Sequence, residues 1–82
     1  MLRMWKSDMP KLSPINSRKL LNILHKLGFS EKRQKGSHLR IEHPDGRKTT
    51  VPVHSGEIIG PGLFAKILHD CEMTNEIFHS LI

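Results

Sequence analysis

The sequence predicts an α+β fold: one helix, a three-stranded antiparallel sheet, a second helix and a short extra C-terminal helix. Two features of the sequence support this prediction. Before residue 28 and after residue 60, apolar residues recur every three or four positions, which is the helical period. Between these segments apolar and polar residues alternate, and two turn signals divide the alternating stretch into three short strands.

The first helix is expected to begin near residue 17, because Asn16 and Ser17 are residue types that cap helix N-termini. The apolar positions that follow have helical spacing and a polar opposite face: Leu20, Leu21, Ile23, Leu24 and Leu27. Gly28 then ends the helix, since glycine accepts the positive φ common at helix C-termini. Residues 1–14 show no apolar period and contain two prolines. We therefore expect a flexible arm there, followed by one domain at residues 15–82.

Three strands are expected between the helices. The first, Phe29 to Gln34, alternates only weakly, and a tight turn at Lys35-Gly36 follows it. The second, His38 to Glu42, alternates clearly, and the third runs from Arg47 to Val53. The turn between them is at Pro44-Asp45-Gly46, because proline fixes φ, aspartate bonds the local backbone and glycine accepts positive φ.

The alternation also assigns the two faces of the sheet. Four apolar side chains are expected to point toward the helices: Leu39, Ile41, Val51 and Val53. His38 and Arg40 then lie on the opposite face, which we expect to be open to solvent. Pro52 cannot donate a hydrogen bond to a neighbouring strand, so we expect it near the end of its strand or on an edge.

The last third of the chain is predicted as a loop and two helices. Ser55 to Gly62 holds three glycines and one proline and is expected to be a loop, with Pro61 in the first turn of the second helix. The apolar stripe of that helix comprises Leu63, Phe64, Ile67, Leu68 and Cys71. Thr74 is expected to cap the short last helix, whose apolar positions are Ile77, Phe78, Leu81 and Ile82.

Charge is distributed unevenly along the 82 residues. Residues 17–48 hold nine Lys or Arg residues and three Asp or Glu residues, whereas residues 57–82 hold one basic and four acidic residues. A basic segment beside an acidic tail favours a surface that binds a polyanion, although a solvated charged surface is the alternative.

A single cysteine and the lack of an apolar run of about 18 residues predict a cytoplasmic protein with no membrane span.

His38 is the main candidate for chemistry. An exposed imidazole among cations can exchange a proton with a ribose 2′-OH or a leaving oxygen while the cations hold the phosphate; the alternative is a surface histidine without a task. His54 is a weaker candidate that could lie near His38 across the sheet, and His43 is better explained by turn geometry. The histidine and cysteine spacings do not match a metal site, no cofactor motif occurs, and Cys71 fits core packing.

Four motifs in order make the chain similar to a known family. They are "RQKGSH", "HPDGR", "TVPVH" and a Gly-Pro-Gly-Leu helix start leading to "ILHDC". Together with the helix in "MPKLSPINSRKLLNILHKLGF", they resemble the HicA family of toxins from HicA–HicB toxin–antitoxin systems, also described as YcfA-like proteins. The resemblance extends from about Met9 to Leu81. It implies a fold like that of double-stranded-RNA-binding domains, which agrees with the predicted α-β-β-β-α order.

The resemblance also implies a function. HicA-like toxins are mRNA interferases, so it implies metal-independent cleavage of mRNA in which the histidine of Gly36-Ser37-His38 acts as acid or base. Lys35, Ser37 and His54 are the expected supporting residues. The expected RNA-binding residues are Arg33, Lys35, Gly36, Arg40, Arg47 and Lys48. The implied partners are mRNA and a HicB-like antitoxin that covers the site, in a homo-oligomer or a heteromeric complex. A non-catalytic RNA-binding module is the alternative, because the fold alone does not require chemistry.

Overall fold

The computed structural model describes residues 13–54 and 56–81, in which helix, antiparallel sheet and helix follow in the predicted order. This confirms the α+β fold. In chain order the elements are β1 (Ile15–Asn16), α1 (Ser17–Lys26), β2 (Ser30–Lys35), β3 (His38–Glu42), β4 (Lys48–Pro52), β5 (Ile58–Ile59), α2 (Pro61–Asp70) and α3 (Asn75–Ser80). Residues 1–12 of the predicted arm lie outside the described residues; residues 13 and 14 are exposed and have no regular structure.

Helix α1 has the two termini that the sequence predicts. The Asn16 side-chain oxygen accepts hydrogen bonds from the backbone N–H groups of Arg18 and Lys19, at 2.9 and 3.3 Å. At the other end Gly28 has a φ of +103°, and the N–H of Phe29 reaches back 3.0 Å to a carbonyl of the last turn. This pairing satisfies carbonyl groups that a helix end otherwise leaves without partners.

Strands β2, β3 and β4 form the predicted antiparallel meander, with β3 in the centre. The first turn lies one residue later than predicted, because Lys35 pairs with His38 and leaves Gly36 and Ser37 as the two turn residues. Gly36 has a φ of +60°, which suits the tight turns that connect antiparallel strands. Gly46 in the second turn has a φ of +101°, as its turn motif requires.

Strand β2 differs from the predicted first strand in its bounds and its surroundings. It begins at Ser30, and the preceding Phe29 packs in the core. All six of its residues are exposed, and its pairing register shifts between Glu31 and Arg33. A charged, bulged edge strand resists pairing with a further strand, so this edge of the sheet is protected against association.

A second, two-stranded pairing was not predicted from the sequence. Ile15 pairs with Ile59 and Asn16 with Ile58, so β1 and β5 form a short antiparallel ladder. The backbone N–H of Ser17 also donates to the carbonyl of Glu57, at 3.0 Å. The prediction of an unbroken loop from residue 55 to residue 62 is therefore wrong at β5, which joins the start of α1 to the start of α2.

The helices cover one face of the sheet, where the core lies. Its buried apolar residues are Ile15, Leu20, Ile23, Leu24, Phe29, Leu39, Ile41, Val51, Ile59, Phe64, Ile67, Leu68, Cys71, Met73 and Phe78. Leu63, Ile77 and Leu81 were predicted in apolar stripes but are 40%, 50% and 45% exposed, and Ile82 lies outside the described residues. In the described part of the chain, no helix has the length and apolar character to cross a membrane.

Candidate active site on the open face of the sheet

The face of the sheet turned away from the helices carries five of the predicted site residues, His38 among them. Cross-strand partners share a face, so the register of β2, β3 and β4 identifies its members. We call this surface the open face; its residues are Ser30, Arg33, Lys35, His38, Arg40, Glu42, Lys48, Thr50 and Pro52. It holds four permanent cations and one carboxylate, so the uneven charge seen in the sequence becomes a basic surface.

His38 is the first residue of β3 and follows the Gly36-Ser37 turn directly. Its side chain is exposed, with Lys35 opposite it on β2 and Pro52 opposite it on β4. The turn is held in place from the β4 side, because the Ser37 carbonyl accepts a hydrogen bond from the N–H of Val53 at 2.7 Å. His38 is therefore presented from a hairpin end whose backbone is anchored on both sides.

Arg40 lies at the centre of the open face. Its guanidinium donates to the Thr50 hydroxyl at 3.4 Å and lies 3.8 Å from a carboxylate oxygen of Glu42. Both contacts are long and exposed, so they restrain the side chain only weakly. Arg40 and Arg33 also line a shallow groove of about 460 Å³. The two guanidinium groups are thus accessible to an anionic ligand.

A second groove, of about 470 Å³, lies between the β4 side of the open face and α2. We call it the His38 groove. Its lining includes His38, Arg40, Lys48, Pro52, Leu63 and Lys66. The groove joins the candidate catalytic histidine to three cations and to the exposed Leu63.

His54 and His38 line different grooves. His54, just beyond the end of β4, lines a cavity of about 260 Å³ beside α1, together with Arg18 and His25. His38 pairs with Pro52, two residues before His54. The expectation that the two histidines lie near each other across the sheet stays a prediction.

Arg47 has internal partners, unlike Arg40. Its guanidinium donates to the Asp45 carboxylate at 2.9 Å and to the carbonyl of Cys71 at 2.8 Å, and it lies 5.1 Å from the centre of the Phe29 ring. These contacts join the second turn to the C-terminus of α2, where a positive charge is favourable. Arg47 was predicted as an RNA-binding residue, but these contacts give it a structural task.

His43 has a structural position too, as turn geometry suggested. Its Nε2 lies 3.1 Å from the Leu27 carbonyl at the end of α1, and its ring packs edge-on against Phe29. Its Nδ1 lies 3.1 Å from the N–H of Asp45 and 3.0 Å from that residue's carboxylate. When the His43 ring is neutral, its Nδ1 accepts from the Asp45 N–H; when the ring is charged, its Nδ1–H donates to the Asp45 carboxylate. In both states the Nε2–H donates to the Leu27 carbonyl.

Two further groups join α2 to the sheet and the core. The buried Thr49 hydroxyl donates to the Asp70 carboxylate at 2.8 Å, and Lys66 lies 3.2 Å from the same oxygen. The Thr49 hydrogen bond and then Lys66 lower the pKa of Asp70 below its ordinary value. Cys71 is buried in the core, as its place in the apolar stripe of the second helix predicted, and burial raises the pKa of its thiol to about 11. Among residues 13–54 and 56–81, no three His, Cys, Asp or Glu side chains cluster as metal ligands would.

Comparison with known proteins gives a match to a protein family. No curated protein matches the chain. A protein-family model described as HicA toxin of bacterial toxin–antitoxin matches residues 17–73. The match runs from the start of α1 through the sheet and α2, includes the whole open face, and leaves α3 outside. Because it covers more than half of the sequence, the chain belongs to the HicA family of toxins from bacterial toxin–antitoxin systems.

Proposed function

We propose that this toxin is an endoribonuclease that cleaves mRNA without a metal ion, with His38 as its acid–base residue. The observation that carries the proposal is the position of His38: exposed at an anchored hairpin end, opposite Lys35, on a face with four cations. An imidazole in such surroundings can reach a ribose whose phosphates are bound beside it.

The proposed reaction is an internal transfer followed by release. His38 takes the proton of the 2′-OH, and the 2′-oxygen attacks the adjacent phosphorus. The bond from phosphorus to the 5′-oxygen of the next nucleotide breaks, and the imidazolium can return its proton to that oxygen. The products are a 2′,3′-cyclic phosphate and a free 5′-OH. Lys35 lies across the hairpin from His38 and can stabilise the negative charge that grows on the phosphoryl oxygens.

The competing function is RNA binding without cleavage. The basic open face supports both functions, because cations bind the phosphate backbone whatever happens next. Only the cleavage hypothesis needs an imidazole at position 38. A substitution that removes the ring and leaves the cations in place therefore separates the two functions.

The family also implies a protein partner. We propose that a HicB-like antitoxin covers the open face and carries acidic groups that meet its cations. Masking of His38 would then inhibit the toxin. A complex in which His38 stays open to solvent would contradict inhibition by masking.

The decisive experiment incubates purified toxin with single-stranded RNA in EDTA. We expect the wild type to cleave it and to leave 2′,3′-cyclic or 3′-phosphate ends, and His38→Ala to lose about 100- to 10,000-fold in rate. His69→Ala, an exposed histidine on α2, is the matched control and should cleave normally. RNA with 2′-O-methyl groups should resist. Unchanged cleavage by His38→Ala, or products with a free 3′-OH, would refute the proposed mechanism.

A further inference from the structure

The His38 groove contains an apolar patch that the proposed reaction does not use. Leu63, in the first turn of α2, is 40% exposed, whereas Phe64 and Ile67 of the same helix are 3% and 1% exposed. The groove is also lined by Pro52, which is half-buried and lies opposite His38 in the register. An exposed leucine and a proline ring that line one groove offer apolar surface suited to a flat apolar group.

Cations surround this apolar patch. Arg40, Lys48 and Lys66 line the same groove, and Lys66 is 68% exposed at its side chain. Asp70 is the one carboxylate among the groove's lining residues, and its hydrogen bonds come from Thr49 and Lys66. The groove therefore offers apolar contact at one point and positive charge around it, and a nucleotide presents the matching combination of base and phosphates.

We propose that Leu63 and Pro52 form a binding subsite for one unpaired nucleobase of RNA, with the flanking phosphates held by Arg40, Lys48 and Lys66. The proposal rests on the proposed ribonuclease function, because it places a substrate nucleotide beside His38. The subsite selects single-stranded RNA. A base inside a duplex is covered by its stacked neighbours and cannot enter the groove, and A-form geometry keeps the 2′-oxygen out of line with the leaving oxygen.

A second copy of the chain is the other occupant that an exposed leucine suggests. The charges argue against it, because pairing this surface with itself would bring three cations of each copy together. A polyanion gains from the same three charges. The groove therefore fits RNA better than it fits self-association.

Binding to a fluorescent single-stranded RNA tests the subsite, in a His38→Ala background so that cleavage does not consume the probe. Adding Leu63→Ala should weaken binding about tenfold, from the loss of apolar contact with the base. Leu81→Ala is the matched control, because Leu81 follows the last residue of α3, is 45% exposed and is not among the residues that line the His38 groove; it should leave binding unchanged. Binding of the same sequence as a duplex should not respond to Leu63→Ala.

An abasic scan locates the contact. Removing the base at one position of the RNA should cause the same loss as Leu63→Ala, and the two changes together should cause no more than either alone. Three results would each overturn the subsite. The Leu63→Ala variant could bind single-stranded RNA as tightly as its parent, or it could lose as much affinity for duplex RNA as for single-stranded RNA. The third result is that the losses from Leu63→Ala and from base removal add fully at every abasic position. A dimer in analytical ultracentrifugation that Leu63→Ala abolishes would also overturn the subsite. These readouts do not depend on cleavage, so their failure is distinct from failure of the ribonuclease proposal.

Discussion

Two arginines of the β3–β4 region show how surroundings decide what a residue does. Arg40 lies on the open face with weak, exposed contacts, whereas the Arg47 guanidinium bonds to Asp45 and to the Cys71 carbonyl and lies over Phe29. Removing the Arg47 side chain would take the guanidinium from the carbonyl of Cys71 at the end of α2 and would remove one of the partners of the Asp45 carboxylate. Removing Arg40 would take positive charge from a surface that faces solvent.

We therefore expect opposite results from two alanine substitutions. Arg47→Ala should lower the free energy of unfolding by about 1–3 kcal/mol, because it removes charged hydrogen bonds at a partly buried position. Arg40→Ala should change stability by less than about 0.5 kcal/mol and should weaken RNA binding. Urea unfolding and RNA titration on both variants test this pair. Equal stability of Arg47→Ala and wild type would contradict the structural role assigned to Arg47.

At the scale of elements, helix α2 is followed by a non-glycine residue with a positive φ. Its C-terminus has the same backbone pairing as that of α1, with the Met73 N–H donating to the Leu68 carbonyl at 2.9 Å. The residue that needs positive φ in α1 is Gly28, but in α2 it is Glu72, with a φ of +54°. A side chain at this φ is strained, since its Cβ crowds the following carbonyl.

Glu72→Gly should therefore stabilise the toxin by about 0.5–1 kcal/mol, because glycine adopts this φ without strain. Glu72 is exposed, so the change should remove little packing. Thermal unfolding measured beside Glu76→Gly, within helical α3, provides the contrast, since glycine should destabilise that position. A lower melting temperature for Glu72→Gly would show that the strain at this position is small.

The link between α2 and β4 predicts a pH dependence. Thr49 and Lys66 hold the pKa of Asp70 below its ordinary value of 3.8, so the folded state binds the proton less readily than the unfolded state. The stabilisation is fully present above about pH 3.8 and is lost as the pH falls through the folded-state pKa. Asp70→Asn should be less stable than wild type at pH 7, and the difference should shrink below pH 3.8.

Urea unfolding between pH 7 and pH 2.5 measures that difference. Glu76→Gln, on the exposed surface of α3, is the control for loss of one carboxylate and should follow the wild type more closely. A constant difference between Asp70→Asn and wild type at every pH would mean that the carboxylate's charge does not stabilise the fold.

At the scale of the whole molecule, the apolar core and the cluster of cations lie on opposite sides of the sheet. The helices and the core occupy one side of the sheet, and the other side is left to Arg33, Lys35, His38, Arg40 and Lys48. A basic face attracts RNA over distances of about 10 Å at moderate salt, without regard to sequence. Selection of unpaired over paired RNA is then assigned to the subsite proposed at Leu63.

The salt dependence of RNA binding measures this face directly. Each of Arg33→Ala, Lys35→Ala and Arg40→Ala should flatten the plot of log affinity against log salt by about 0.7 for single-stranded RNA, one phosphate contact each. Lys19→Ala, on the exposed side of α1, should leave the slope unchanged. Slopes that do not respond to the three open-face variants would exclude the basic face as the RNA-binding surface.

Much of this protein follows from its sequence alone. Asn16, Gly28 and Thr74 lie at the helix ends where predicted, the turns at Gly36 and Gly46 lie where glycine is needed, and alternation assigned His38 and Arg40 to the solvent face. These features depend on chemistry within a few residues of each position. Local hydrogen bonds, φ preferences and side-chain periodicity can be read from neighbours along the chain.

Other features were decided only by the tertiary structure. The β1–β5 ladder, the structural task of Arg47, the exposure of Leu63 and the cavity that His54 shares with α1 all depend on segments distant in sequence. Arg47 and Cys71 lie 24 positions apart, and the sequence between them gives no local signal that a guanidinium will cap a helix. Such contacts are selected when helices and sheet pack together, because packing determines which polar groups lose water and which apolar groups keep it.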